Sequence, residues 1–133
     1  MKNLIIAFIA GAFVIACSTN IKTTSKNDLP EGAIRIANDE LEYEIIIIDN
    51  GFETYLASIA KPASFYSVEY YEAKNQRYVT EWNIRFRNPQ RYNTSIYENE
   101  INYDFNTNYG LDVNYKLYNY FKFVEYKYKE RFF

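Results

Sequence analysis

From Phe65 to Phe86, apolar side chains return at every third or fourth position: Phe65, Val68, Tyr71, Val79, Trp82 and Phe86, with Asn75 as the one polar member of the series. At 3.6 residues per turn this spacing puts them on one face of a helix, and a face of that kind has to be buried against something else. Asn88-Pro89 closes the series, because the residue before a proline is pushed out of the α region. The pattern predicts one long helix over Phe65–Arg87, or two joined near Asn75. In that stripe Asn75 is expected to be a hydrogen-bonded structural residue, since a buried amide without partners costs about 1–3 kcal/mol.

A second set, Val113, Leu117, Tyr120, Phe121, Val124 and Tyr128, falls within about 100° of arc at 100° per residue, which predicts another helix. A strand stays open there, because aromatic residues favour pleated surfaces. Between Leu41 and Ile48 four consecutive isoleucines precede Asp49-Asn50-Gly51, the composition of a buried strand. Ile34-Arg35-Ile36 alternates and is set off by Asn38-Asp39, so it pairs with that strand as a short hairpin. Asn50 and Glu53 resemble a capping box opening a helix from Phe52 to about Ile59, which Lys61-Pro62 ends. Gln90 to Tyr109 reads as a long polar loop. The sum is an α+β fold, a short β-hairpin packed against two or three amphipathic helices, with Trp82 and Phe86 buried on the isoleucine strand.

Only at this point does composition add a constraint. The chain has 133 residues, no His and a single Cys, which removes His-dependent triads, His general bases, Cys/His metal clusters and internal disulfides. Fifteen Lys and Arg face seventeen Asp and Glu, so no general attraction for nucleic acid is expected. The charges are uneven. Asn27–Ala60 holds eight acidic residues against Arg35 alone, whereas Lys61–Tyr92 and Lys116–Arg131 are basic, which predicts pairing between hairpin and helices.

The first 16 residues read as an export signal: Lys2 is followed by an uncharged run from Leu4 to Ala16. Thirteen residues make about 20 Å of helix, short of the roughly 30 Å hydrocarbon core, so a membrane-spanning helix is disfavoured. Val14-Ile15-Ala16-Cys17 resembles a bacterial lipobox. That resemblance implies cleavage before Cys17, a diacylglyceryl group on its thiol and anchoring to the membrane through acyl chains. Residues 17–32 then form the lipidated cysteine and a polar tether spanning roughly 20 Å on average, ahead of a single globular domain at 33–133. The residues after Cys17 carry no early acidic cluster, and the expected site is the periplasmic face of the outer membrane.

Three patterns bear on chemistry. Asp104, Asn106, Asn108 and Asp112 fall at alternate or near-alternate positions around Gly110, as at the start of an EF-hand calcium loop, but Tyr109 stands where the sharp turn wants Gly and Tyr115 where a bidentate Glu should close the shell. The departures favour an Asn-rich turn. Glu42 with Glu44, and Glu98 with Glu100, are carboxylate pairs of the kind glycoside hydrolysis uses, yet the sequence places no groove around them; Lys61 and Lys74 sit in no base motif. Finally, Tyr66, Tyr70, Tyr115, Tyr118 and Tyr126 lie off the predicted core faces, and a patch of them, with Tyr115 and Tyr118 foremost, is a candidate interaction surface.

Phe65-Tyr66-Ser67, Tyr78-Val79-x-Glu81-Trp82-Asn83-x-Arg85, Asn88-Pro89 and Tyr109-Gly110-Leu111-x-Val113-Asn114-Tyr115-Lys116-Leu117-Tyr118 give the stretch from Glu42 to Tyr128 a resemblance to small uncharacterised lipoproteins of Bacteroidota. The resemblance implies an envelope location and neither a reaction nor a cofactor. The function expected from these observations is a non-catalytic binding or structural lipoprotein with an envelope protein or cell-wall partner. A calcium-stabilised binding module is the alternative, and an envelope polymer hydrolase stands behind it.

Overall fold

The computed structural model of the chain describes residues 33–133; the export signal, Cys17 and the tether lie outside the described residues. The order is β1 (Ala33–Asn38), β2 (Tyr43–Ile48), α1 (Phe52–Ser58), α2 (Val68–Phe86) and α3 (Gly110–Tyr128), with 3-10 turns at Asp39–Leu41 and Ala63–Phe65. This is the α+β arrangement of a two-stranded hairpin and three helices.

The strands pair antiparallel from Ala33↔Ile48 to Asn38↔Tyr43. Their turn is held by the Asn38 side chain, which accepts from the Glu40 and Leu41 amides at 3.1 and 3.2 Å, while Glu42 takes the left-handed conformation. The isoleucine run is not a fully buried strand. Ile47 is 4% exposed and its neighbour Ile48 64%, because the helices cover one face of the sheet and leave the other to solvent. Outward from that covered face, Arg35 pairs with Glu44 at 2.6 Å and with Asp39.

The helix starts also differ in detail from the sequence expectation. At α1 the cap position is Gly51, with φ +103° and no side-chain cap, so the Asn50–Glu53 box does not form; the Asn50 carbonyl instead accepts from Lys127 Nζ at 3.1 Å. Helix α2 begins at Val68 because Ser67 Oγ accepts from the Tyr70 amide at 3.3 Å. Phe65 therefore precedes the helix and is exposed. Past Asn75 the helix is unbroken. The last element is helix, not strand: Asn108 Oδ1 accepts from the Gly110 amide at 3.0 Å at its start, and Lys129, at φ +57°, ends it and sends the tail back.

Helices α2 and α3 pack together, with Tyr78 and Phe121 rings stacked at 5.1 Å. Trp82 shares the buried core with Ile47 of β2, but its aromatic contacts are with other elements. Its ring meets Tyr97 at 4.9 Å, Tyr120 at 5.6 Å and Phe132 of the tail at 6.4 Å, and a cleft lies between it and β2. The hairpin rests on α3 through β1, and Phe86 is half-buried beside the core. The expected charge pairing is present where Asp49, after β2, receives Lys127 Nζ and, at 2.9 Å, the Tyr128 hydroxyl of α3.

Candidate functional site

Four of the five off-stripe tyrosines come together. Helix α2 starts with Tyr70 and Tyr71 one turn from Tyr66, and α3 brings Tyr115 and Tyr118 up against them. Tyr66 and Tyr70 stack at 4.0 Å, and Tyr118 lies 5.3 Å from Tyr71 and 6.0 Å from Tyr70. Tyr115 lies 5.8 Å from Tyr71 and donates its hydroxyl to the Lys61 carbonyl at 2.9 Å. Burial, then the hydrogen bond with Tyr70, pushes the Tyr118 hydroxyl far above the ordinary tyrosine range, so it stays a neutral donor. Tyr115 and Tyr118 are thus the half-buried floor of the cluster and not a free patch. Phe65, 53% exposed, extends the cluster into solvent. Lys61 sits 3.8 Å over the Phe65 ring and Lys74 5.5 Å from Tyr70, so the two lysines serve as cation–π partners here. Tyr126 stands apart, against Tyr55 at 5.7 Å. Next to the cluster is a cavity of about 260 Å³.

A second feature was not legible in the sequence. The cleft between β2 and residues 96–102 has a volume of about 400 Å³, and both carboxylate pairs line it, Glu42 and Glu44 from the hairpin and Glu98 and Glu100 from the opposite wall. Two α2 side chains hold that wall. Trp82 Nε1 donates to the Asn99 carbonyl at 2.8 Å, and Asn83 both donates to the Ile101 carbonyl and accepts from its amide at 2.9 Å. Arg35 pairs with Glu44 and Arg87 with Glu100. The groove missing from the sequence reading appears because Ile96, Tyr97, Ile101 and Tyr103 are buried. Their apolar character inside an Asn-rich stretch is the trace they leave in the sequence, and it carries no regular period.

The calcium candidates use their oxygens locally. Asp104 accepts from the Asn106 amide at 2.9 Å and the Thr107 hydroxyl at 3.0 Å, and these bonds, in that order, hold its carboxyl below the ordinary range. Asn108 serves the α3 start, and Asp112 receives Lys116 Nζ at 2.7 Å. Asn106 is exposed and donates to Asp104. Among the described residues no group of three or more His, Cys, Asp or Glu is placed to hold a metal ion, and no helix is long and apolar enough to cross a membrane.

The chain belongs to a family of unknown function, DUF6146, whose family model matches residues 4–132. That match runs well beyond the Glu42–Tyr128 stretch that carries the resemblance to small lipoproteins. No curated protein and no solved structure matches the chain.

Proposed function

We propose that this DUF6146 chain is a lipid-anchored, non-catalytic binding module of the bacterial cell envelope. Acyl chains on Cys17 hold it at the periplasmic face of the outer membrane, and it docks an envelope protein or cell-wall partner through its tyrosine face. The supporting observation is the convergence of Tyr66, Tyr70 and the exposed Phe65 on one surface flanked by Lys61 and Lys74. Aromatic side chains with polar tips and nearby cations are the composition of interface anchors, and they stack equally well on sugars. The lipobox-like Val14-Ile15-Ala16-Cys17 supports the anchor, and a polar tether supports a domain held clear of the lipid.

Cross-linking the protein in its own membrane tests the reading. A specific partner is expected, lost in Phe65→Ser with Tyr70→Ala while the circular dichroism and melting temperature stay near those of the parent. Tyr115 and Tyr118 are poor probes, because changing them removes packing as well. Growth with a labelled fatty acid should label the parent and not Cys17→Ser. Label on the Ser variant would remove the anchor from the proposal, and turnover of an envelope polymer by the purified protein would remove its non-catalytic character.

A further inference from the structure

We propose that the cleft beside β2 receives an extended, cationic strand of a partner protein, which adds to the hairpin as a third strand. This site is separate from the tyrosine face and stands or falls independently of it. Among the described residues the sheet consists of β1 and β2 alone, so every second residue of β2 turns both its amide and its carbonyl to the edge that β1 does not pair. Among the described residues no hydrogen bond from outside the hairpin reaches the backbone of Tyr43–Ile48. The seven consecutive residues from Glu42 to Ile48 all line the cleft. Inward and outward residues both take part, so it is the edge of the strand, not one face, that borders the space.

Proteins usually blunt such an edge with lysine, proline or a bulge. The β2 sequence Tyr-Glu-Ile-Ile-Ile-Ile has neither residue, and its pairing with β1 runs without a bulge. The segment nearest to the edge is held off it, because Trp82 and Asn83 of α2 bind the Asn99 and Ile101 backbone groups. What remains is a slot with Ile45, Ile47, Trp82 and Tyr120 in its lining and carboxylates on both sides.

Charge selects the occupant. Glu42, Glu44, Glu98 and Glu100 line the slot, no Lys or Arg does, and among the described residues Glu42 and Glu98 form no ion pair. A second copy offering its own β2 edge would add two more glutamates, Glu42 and Glu44, to a slot already lined by four. Residues 18–32 carry Lys22 and Lys26 against Asp28 and Glu31 and have no net charge to offer. A strand alternating basic with apolar residues satisfies the backbone edge, the apolar lining and the acidic sides together.

Trp82 is the only tryptophan and lines the cleft, so its emission reports occupancy. The probe is a seven-residue peptide alternating lysine and valine, titrated into the full-length protein in detergent. It is expected to shift the Trp82 emission, with its glutamate–valine counterpart binding at least about tenfold more weakly. Of two lysine–valine peptides N-methylated on alternate residues, at least one should lose binding, because one edge of the peptide pairs with β2. Glu42→Lys with Glu98→Lys should weaken binding about tenfold or more. The N-methylated peptides keep the test decisive if that variant folds poorly. The proposal is overturned by no emission change at millimolar peptide, by equal binding of the acidic peptide, or by full binding of both N-methylated forms. A peptide-independent dimer through β2 would overturn it as well.

Discussion

The side-chain amide of Asn75 in α2 donates to Asn114 in α3 twice, to its backbone carbonyl at 2.9 Å and to its side-chain oxygen at 3.1 Å, and neither residue reaches solvent. The Tyr103 hydroxyl donates to the same Asn114 oxygen at 2.6 Å, and the Asn114 amide donates to the Gly110 carbonyl at 2.9 Å. Two helices and the long loop are thus tied at one buried polar point. Asn75 Oδ1 has no partner, so only the donor half of the amide contributes. Asn75→Leu is expected to cost about 1–3 kcal/mol, and Asn75→Asp more, because it sets a carboxylate against two acceptor oxygens. Denaturant unfolding compares them; an Asp variant as stable as the Leu variant would contradict this account.

Arg85 closes the other end of the core. Its guanidinium donates to Glu81 at 2.8 Å, the Tyr97 hydroxyl at 2.8 Å, Glu130 at 3.0 Å and the Arg131 carbonyl at 2.6 Å, and lies 4.7 Å from the Phe132 ring. Lysine cannot reproduce that fork. Arg85→Lys should cost about 2 kcal/mol, within the range for hydrogen bonds to charged groups. Removal of residues 130–133 should make the two changes non-additive in a double-mutant cycle. Strict additivity would separate Arg85 from the tail.

What the sequence discloses depends on whether an element carries its own periodicity. Val68 to Phe86 and Val113 to Tyr128 do, and both helices are present, with Ser67 marking a start that the apolar Phe65 obscured. The Ile45–Ile48 run shows its strand but not which face is covered, since that depends on where the helices pack. Ile96, Tyr97, Ile101, Tyr103 and Tyr109 sit in a stretch without regular structure and yet enter the core. No period announces them, because Trp82 and Asn83 position their segment from a distant helix. Phe132 is hidden for a similar reason: its burial needs Arg85 and the turn at Lys129. The cleft depends on the first of these long-range ties and so emerges only in three dimensions.

Trp82 and Asn83 therefore hold the cleft wall, and the two can be separated. Trp82→Ala should cost about 3–5 kcal/mol, as expected when a large buried aromatic is truncated. Asn83→Ala removes two hydrogen bonds to Ile101, for about 2 kcal/mol. Its characteristic effect should be local, with faster hydrogen exchange over residues 98–104 and little change in the centre of α2. Uniformly faster exchange would show that Asn83 supports the whole domain and not that wall alone.

The Tyr43 hydroxyl is buried without a hydrogen-bond partner, and its ring lies 4.2 Å from that of Tyr109. Burial, with the neighbouring Tyr109 and Tyr103 adding to it, lifts its ionisation well above the ordinary tyrosine range; burial likewise pushes Tyr103 up to about 12. An unfolded tyrosine releases its proton near pH 10, so above that pH the unfolded chain binds fewer protons than the folded one, and stability falls as pH rises. The contribution is complete below about pH 10 and is lost as pH climbs through 12 for Tyr103 and further for Tyr43. Tyr43→Phe removes the unpaired hydroxyl while keeping the ring. It should stabilise the protein by about 1 kcal/mol at neutral pH and make the alkaline decline shallower. Melting temperatures of parent and variant from pH 7 to about 11 measure both effects. A variant that melts lower than the parent at pH 7 would mean that the hydroxyl is bonded after all.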